Sequence, residues 1–304
     1  MKVISHNLVR KFTVISVSVS FIFSLFVSSA KAVVPSNGIT PANQRTAQAV
    51  RGLENAGALS SFYEALADLK AGRRREPIRI AHYGDSHTAA NILTAEVRRS
   101  FEREFGLYGE SATQARSSII YDVLGINGAR AVRLLSYNES SFSSSVARRK
   151  PDLIILAYGT NEVTDNNWSV ESYQRLFVSI LRRFRRAAPQ ASILIFGPPD
   201  RAVRTGSGWQ SVGRMTALLE AQRRAAIEMG AGFWSSYGAM GGAGSMNLWV
   251  AKGLGQRDHV HLTAPGYIKL GRLFYDDLLS GYEAHAPADR QRQQQNDLRR
   301  ALQF

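Results

Sequence analysis

From Ile78 onward the chain alternates short apolar runs with amphipathic stretches at helical spacing, and this alternation confines it to an α/β fold with parallel strands. The expected strands are 78–83, 119–126, 153–158, 192–196 and 232–235. The expected helices among them are 88–105, 170–187, 209–229 and 263–279, with a further helix at 46–70 ahead of the first strand. The run Leu153-Ile154-Ile155-Leu156 is apolar at every position, so a strand there needs cover on both faces. The economical arrangement is one three-layer α/β/α domain with a central parallel sheet. No internal repeat is visible.

Three expected strands end in polar turns: Gly84-Asp85-Ser86, Asn127-Gly128 and Gly159-Thr160-Asn161. In open α/β sheets ligands bind beyond the carboxyl ends of the strands, so these turns should meet at one crevice. A fourth polar segment, Asp258-His259-Val260-His261-Leu262-Thr263, stands just before the last expected helix. Ile80 to His87 resembles the first sequence block of the SGNH/GDSL hydrolases, whose nucleophilic serine follows Gly-Asp. Gly125 to Ala129 resembles the second block, Tyr158 to Glu162 the third, and Asp258 to Thr263 the last, in family order. Glu162 replaces the commoner aspartate of the third block, and His87 replaces the leucine of the family's name. The resemblance implies a flavodoxin-like SGNH hydrolase fold, a catalytic Ser86, Asp258 and His261, and an oxyanion hole from Ser86, Gly128 and Asn161.

The chemistry of these residue types agrees. A serine hydroxyl is a weak nucleophile until an adjacent base takes its proton. Imidazole can do so near neutrality, and a carboxylate can fix its tautomer. Negative charge building on a carbonyl oxygen calls for fixed donors: the Ser86 and Gly128 N–H groups and the Asn161 amide. Gly128 suits that place because a side chain would obstruct close approach.

Each residue also has a plainer reading. Ser86 could cap the helix that starts beside it. His259 competes with His261, although the spacing from Asp258 favours His261. Asn161 could be a turn residue. His82, inside a strand, reads as a hydrogen-bonded core histidine, and His87 fits a site role or a packing role equally. Asp258, His259 and His261 have no second cluster of ligands to complete a metal site, so no metal is expected. The glycine-rich segment 238–246 lacks phosphate-loop spacing and reads as a loop near the site. Trp209, Trp234 and Trp249 read as core, with one of them free to stack on a sugar.

The chain starts with basic residues and an apolar run, then Ala30-Lys31-Ala32 offers a small-x-small cleavage pattern. Residues 1–32 are expected to be a signal peptide, 33–76 a linker and N-terminal helix, 77–285 the hydrolase domain and 286–304 a polar tail. No stable membrane span is expected after cleavage. The absence of cysteine excludes thiol nucleophiles, thiolate zinc and iron–sulfur clusters. The formal charge is +14, and four of those charges (Lys2, Arg10, Lys11, Lys31) fall in the expected signal. On an exported chain the excess points to an anionic envelope polymer rather than nucleic acid, and clusters such as 182–186 read as solvated faces.

Together these features imply an exported, periplasmic or secreted serine esterase without cofactor. Its expected substrate is a cell-wall or extracellular polysaccharide such as peptidoglycan, from which it removes O-acyl groups, O-acetyl foremost. An O-acetyltransferase acting on polysaccharide would use the same residues. Lipase or thioesterase action on small acyl substrates, and a non-catalytic glycan-binding envelope component, are the other readings.

Overall fold

The computed structural model describes residues 52–108 and 116–301, with side chains described over 52–106 and 118–285. The expected signal peptide and residues 33–51 lie outside the described residues. The main sheet holds β1 (Leu53–Glu54), β2 (Ile78–Gly84), β3 (Ile119–Gly125), β4 (Leu153–Ala157), β5 (Ser192–Gly197) and β8 (Gly232–Ser235). Two further strands, β6 (Ala202–Thr205) and β7 (Gly208–Ser211), form a separate antiparallel hairpin. The principal helices are α1 (Ser60–Lys70), α2 (Ile92–Phe105), α3 (Glu139–Arg149), α4 (Val170–Ala187), α5 (Met215–Glu228), α6 (Ser245–Ala251) and α7 (Ala264–Ala301).

The sheet order is β1-β8-β5-β4-β2-β3. β8, β5, β4, β2 and β3 run parallel, and β1 pairs antiparallel with β8 at one edge. Counting only the parallel strands, the order is the flavodoxin-like one, with its switch point between β2 and β4. The expected central parallel sheet is therefore present, with an antiparallel edge added.

Alternate side chains of the fully buried β4 divide between two cores. Leu153 and Ile155 join α1, α2 and α7 on one face through Phe62, Leu66, Val97, Phe101 and Phe274. Ile154 and Leu156 join α3, α4 and α5 on the other through Phe142, Val146, Phe177, Ile180 and Leu218. Each fully buried Leu, Ile or Phe contributes about 1.5–3 kcal/mol relative to exposure, which gives the two faces their hold on the sheet. The three layers expected from the apolar run at 153–156 are borne out.

Three stretches differ from expectation. Of the expected 46–70 helix, the described part begins at Gly52 and is α-helical over Ser60–Lys70. Before Ser60, Gly52 (φ 99°) and Asn55 (φ 54°) take left-handed backbone that a helix cannot hold. The Asn55 amide donates to the Ala231 carbonyl at 2.9 Å, and β1 docks on the sheet edge. The stretch 52–70 is thus woven into the core rather than trailing from it. The 209–229 helix is shorter, because Trp209 belongs to the β6–β7 hairpin and α5 starts at Met215. The last helix is longer than 263–279 and takes up the expected tail as far as Ala301.

The arginine run of α4 is only partly a solvated face. Arg182 and Arg186 are exposed, but Arg183 is buried. Its guanidinium donates to the Leu134 and Tyr137 carbonyls, pairs with Glu139 at 2.9 Å, and lies 4.2 Å from the Phe142 ring centroid.

Candidate active site

Parallel register brings three strand ends level. Gly84 pairs with both Gly125 and Ala157, so the turns after β2, β3 and β4 leave the sheet side by side at its switch point. Two glycines make this possible by closeness rather than by backbone angle. A Cβ on Gly84 would lie 2.0 Å from Thr88 Oγ1, and one on Gly125 would lie 2.2 Å from the Ala89 nitrogen. The single helical turn Ser86–Ala89 therefore packs directly on the strand ends.

Asp85 caps that turn, its carboxylate accepting the His87 N–H at 3.0 Å. Burial raises its pKa to about 6, with hydrogen bonds from His87 and Thr160 working against the rise. Ser86 occupies the first position of the turn, where a backbone N–H has no intrahelical partner.

The loop after α6 carries the other two groups. It is closed on itself by the Gly255–Leu262 bridge and by the Gln256 N–H donating to the His261 carbonyl at 2.8 Å. Asp258 Oδ1 accepts the Val260 and His261 N–H groups, both at 3.0 Å, and Oδ2 accepts His261 Nδ1–H at 2.7 Å. That bond puts the ring proton on Nδ1 and leaves Nε2 as an acceptor, 2.9 Å from Ser86 Oγ. Burial tends to raise the Asp258 pKa, but hydrogen bonds from the His261 ring and the two backbone N–H groups outweigh it and hold the carboxyl below its ordinary range. The arrangement can relay a proton from a hydroxyl to an oriented imidazole.

His259 has different partners. Its backbone is left-handed (φ 55°), its ring stacks on Trp209, and its Nδ1 meets Asn247 Oδ1 at 2.9 Å. The Ala202 N–H donates to its carbonyl at 3.0 Å, which ties the hairpin to this loop. Trp209 is thus occupied by a histidine, while Trp234 and Trp249 are buried.

The other two expected oxyanion donors, Gly128 and Asn161, sit on turns joined through the Ala129 carbonyl. Gly128 has φ 69°, and a Cβ there would meet nothing within 4 Å. The left-handed backbone by itself favours glycine here, and no protein atom crowds the position. The Asn161 Nδ2 gives one hydrogen to the Ala129 carbonyl at 2.9 Å, which leaves its second N–H for other use. The next residue holds the same segment. Glu162 Oε1 accepts the Ala131 N–H at 2.7 Å. Burial pushes this carboxyl up to about 7, against the pull of that hydrogen bond.

Two further histidines, His82 and His87, are held neutral. His82 Nδ1 bonds Tyr121 Oη at 2.8 Å, as a core histidine should, and burial takes its pKa down to about 3. His87 Nδ1 bonds Tyr267 Oη at 2.9 Å beside the His261 ring, and burial again lowers its pKa to about 3. Sequence reasoning missed Tyr267, and it missed Arg201, whose Nη1 donates to the Thr160 carbonyl at 2.7 Å. Neither lies in a motif, because helix α7 and the segment after β5 reach the site only through the fold. Among the described residues no group of three or more His, Cys, Asp or Glu could hold a metal ion. No helix of the described residues is long and apolar enough to cross a membrane.

The GDSL-like Lipase/Acylhydrolase family matches residues 82–268. No curated protein matches the chain. A solved peptidoglycan O-acetylesterase superposes with a TM-score of 0.69 at 20% identity, covering 76% of this chain and 99% of its own. An acetyl xylan esterase superposes with a TM-score of 0.49 at 14% identity, covering 66% of this chain and 98% of its own.

Proposed function

The chain belongs to the GDSL-like Lipase/Acylhydrolase family and is a hydrolase acting on esters, and from that premise we propose that it is an exported serine esterase removing O-acetyl groups from a cell-wall or extracellular polysaccharide. The observation that carries this reading is the continuous relay from Ser86 Oγ through the His261 ring to Asp258, with contacts of 2.9 and 2.7 Å.

In the proposed path Ser86 Oγ attacks the acyl carbon while Nε2 of His261 takes the hydroxyl proton. Asp258 holds the Nδ1 proton and stabilises the imidazolium that forms. The carbonyl oxygen becomes an oxyanion, met by the Ser86 and Gly128 N–H groups and the second Asn161 N–H. The sugar oxygen leaves with the proton from Nε2, giving an acetyl ester on Ser86. Water then attacks this ester, His261 again taking a proton, and acetate departs as Ser86 regains its hydrogen.

The polymer substrate is supported by the positive excess of the sequence and by the fold shared with a peptidoglycan O-acetylesterase. Export is supported by the basic start, the apolar run and Ala30-Lys31-Ala32. The test is acetate release from O-acetylated peptidoglycan and polysaccharides by wild type and Ser86→Ala, with and without an unacetylated acceptor. Release to water that vanishes in the variant is expected. Ser86-dependent acetylation of the acceptor with little free acetate would instead make the chain a transferase.

A further inference from the structure

A cleft of about 650 Å³ opens beside the candidate site, lined by Tyr83, Ile126, Tyr137, Phe142, Arg149 and Tyr158. It begins at the turn after β3, since Gly125 and Ile126 form part of its wall and Gly128 follows them. Tyr137 also lines a second pocket, of about 460 Å³, with Leu135, Glu139, Arg182, Arg183 and Arg186. Tyr137 is 40% exposed, so the aromatic ring stands as a shared rim between the two.

The charges of the second pocket are unbalanced. Its three guanidiniums face one carboxylate, Glu139, which pairs with Arg183 at 2.9 Å and with Arg186 at 3.4 Å. Arg183 is committed to backbone carbonyls and to Phe142, so it supplies fixed positive charge. Arg182 has only a loose pairing with Glu228 at 3.9 Å. Arg182 and Arg186 keep 60% and 64% of their side chains exposed.

We infer that this track is an extended subsite for a glycan bearing carboxylates on its sugar rings: acyl sugar at Ser86, neighbouring sugars along Ile126 and Tyr137, and a ring carboxylate at Arg182 and Arg186. The inference deepens the esterase reading and rests on it for the direction of the chain. Planar guanidiniums suit carboxylates, whose two oxygens accept parallel N–H groups. An exposed tyrosine ring between a largely apolar cleft and an arginine pocket offers the flat apolar face that a sugar ring covers. The cleft joins the arginine pocket to the oxyanion turn, which a non-specific patch for nucleic acid would have no reason to do. Glu139 acts as the competing anion that an incoming carboxylate displaces.

The test is direct binding to the purified chain. The probes are a uronic-acid hexasaccharide, its carboxyl-reduced counterpart and a short DNA duplex of matched charge. The uronate oligosaccharide should bind more tightly than the reduced one. Arg182→Gln/Arg186→Gln should weaken uronate binding by roughly fivefold to tenfold, as the loss of two exposed charge contacts implies. Glu139→Gln should tighten it, and this opposite sign separates a local charge effect from general unfolding. Equal affinity for the two oligosaccharides, DNA bound as well as uronate, or an affinity that none of the variants moves would overturn the inference. Wild-type turnover of 4-nitrophenyl acetate, measured alongside, reports on the esterase reading separately: its absence would sink that reading while the binding comparison still decides this one.

Discussion

Trp209 lies flat against His259, with ring centroids 3.9 Å apart and planes 10° from parallel. Because Asn247 holds an edge of the same imidazole, His259 is fixed by Trp209 and Asn247, while Ser86 meets the His261 ring. The two histidines of the Asp258–His261 loop thus have separate tasks, and their variants should separate too. His261→Ala should lower turnover by roughly 10⁴- to 10⁶-fold with little change in stability. His259→Ala should cost about 1–2 kcal/mol of stability through the lost stack and hydrogen bond, with a far smaller loss of turnover. Steady-state rates and thermal unfolding of both variants check this, and equal losses of turnover would contradict it.

The glycines of the strand ends should respond in two ways. A Cβ at Gly125 would strike the Ala89 backbone nitrogen at 2.2 Å, which cannot yield as a side chain would. Gly125→Ala should therefore destabilise by about 2–4 kcal/mol. Gly128→Ala has open space and only its φ of 69° to contend with, for about 1–2 kcal/mol. Denaturant unfolding should rank them in that order. Turnover should nonetheless fall in Gly128→Ala, because relief of the left-handed backbone moves its N–H.

Asn161 is expected to contribute twice, as an oxyanion donor and as the clamp on the Ala129 carbonyl. Asn161→Ala should lower kcat and kcat/KM together by on the order of 10²- to 10³-fold, the pattern of a contact made in the transition state. A rise in KM alone would reduce Asn161 to a substrate-binding or turn residue.

Glu162 links stability to pH. Its folded pKa of about 7 lies above its ordinary value of 4.5, so between these values the folded state keeps a proton that the unfolded chain releases. Its contribution is full below the unfolded value and is lost as pH rises through the folded one, about 3 kcal/mol in all. Glu162→Gln can still accept the Ala131 N–H but cannot titrate. The stability difference between wild type and variant should therefore shift against wild type from pH 5 to 8, and parallel curves would contradict the assignment.

What the sequence revealed and hid follows from where the signals are local. β4 and β5 were readable because apolar runs of four or five residues flanked by glycine or proline leave few alternatives. The positions of Ser86 and Asn161 followed from the turns after such strands. The hairpin at 202–211 was misread because Trp209-Gln210-Ser211-Val212 continues smoothly into the pattern of α5, although Gly206 and Gly208 carried a turn signal. β1 is two residues long and exists only by pairing with β8, so no local pattern could announce it. Glu162 as a clamp, Tyr267 beside His87 and the arginine pocket are products of tertiary packing, which spacing along the chain does not encode.

The central claim is that Ser86 is the nucleophile and His261 its base. The most direct measurement is labelling of the chain with a fluorophosphonate ester and mapping of the adduct by mass spectrometry, on wild type, Ser86→Ala and His261→Ala. One phosphonyl group on Ser86 in wild type is predicted, absent from Ser86→Ala and formed far more slowly in His261→Ala. An adduct at another residue, or ester hydrolysis persisting at the wild-type rate in Ser86→Ala, would contradict the account.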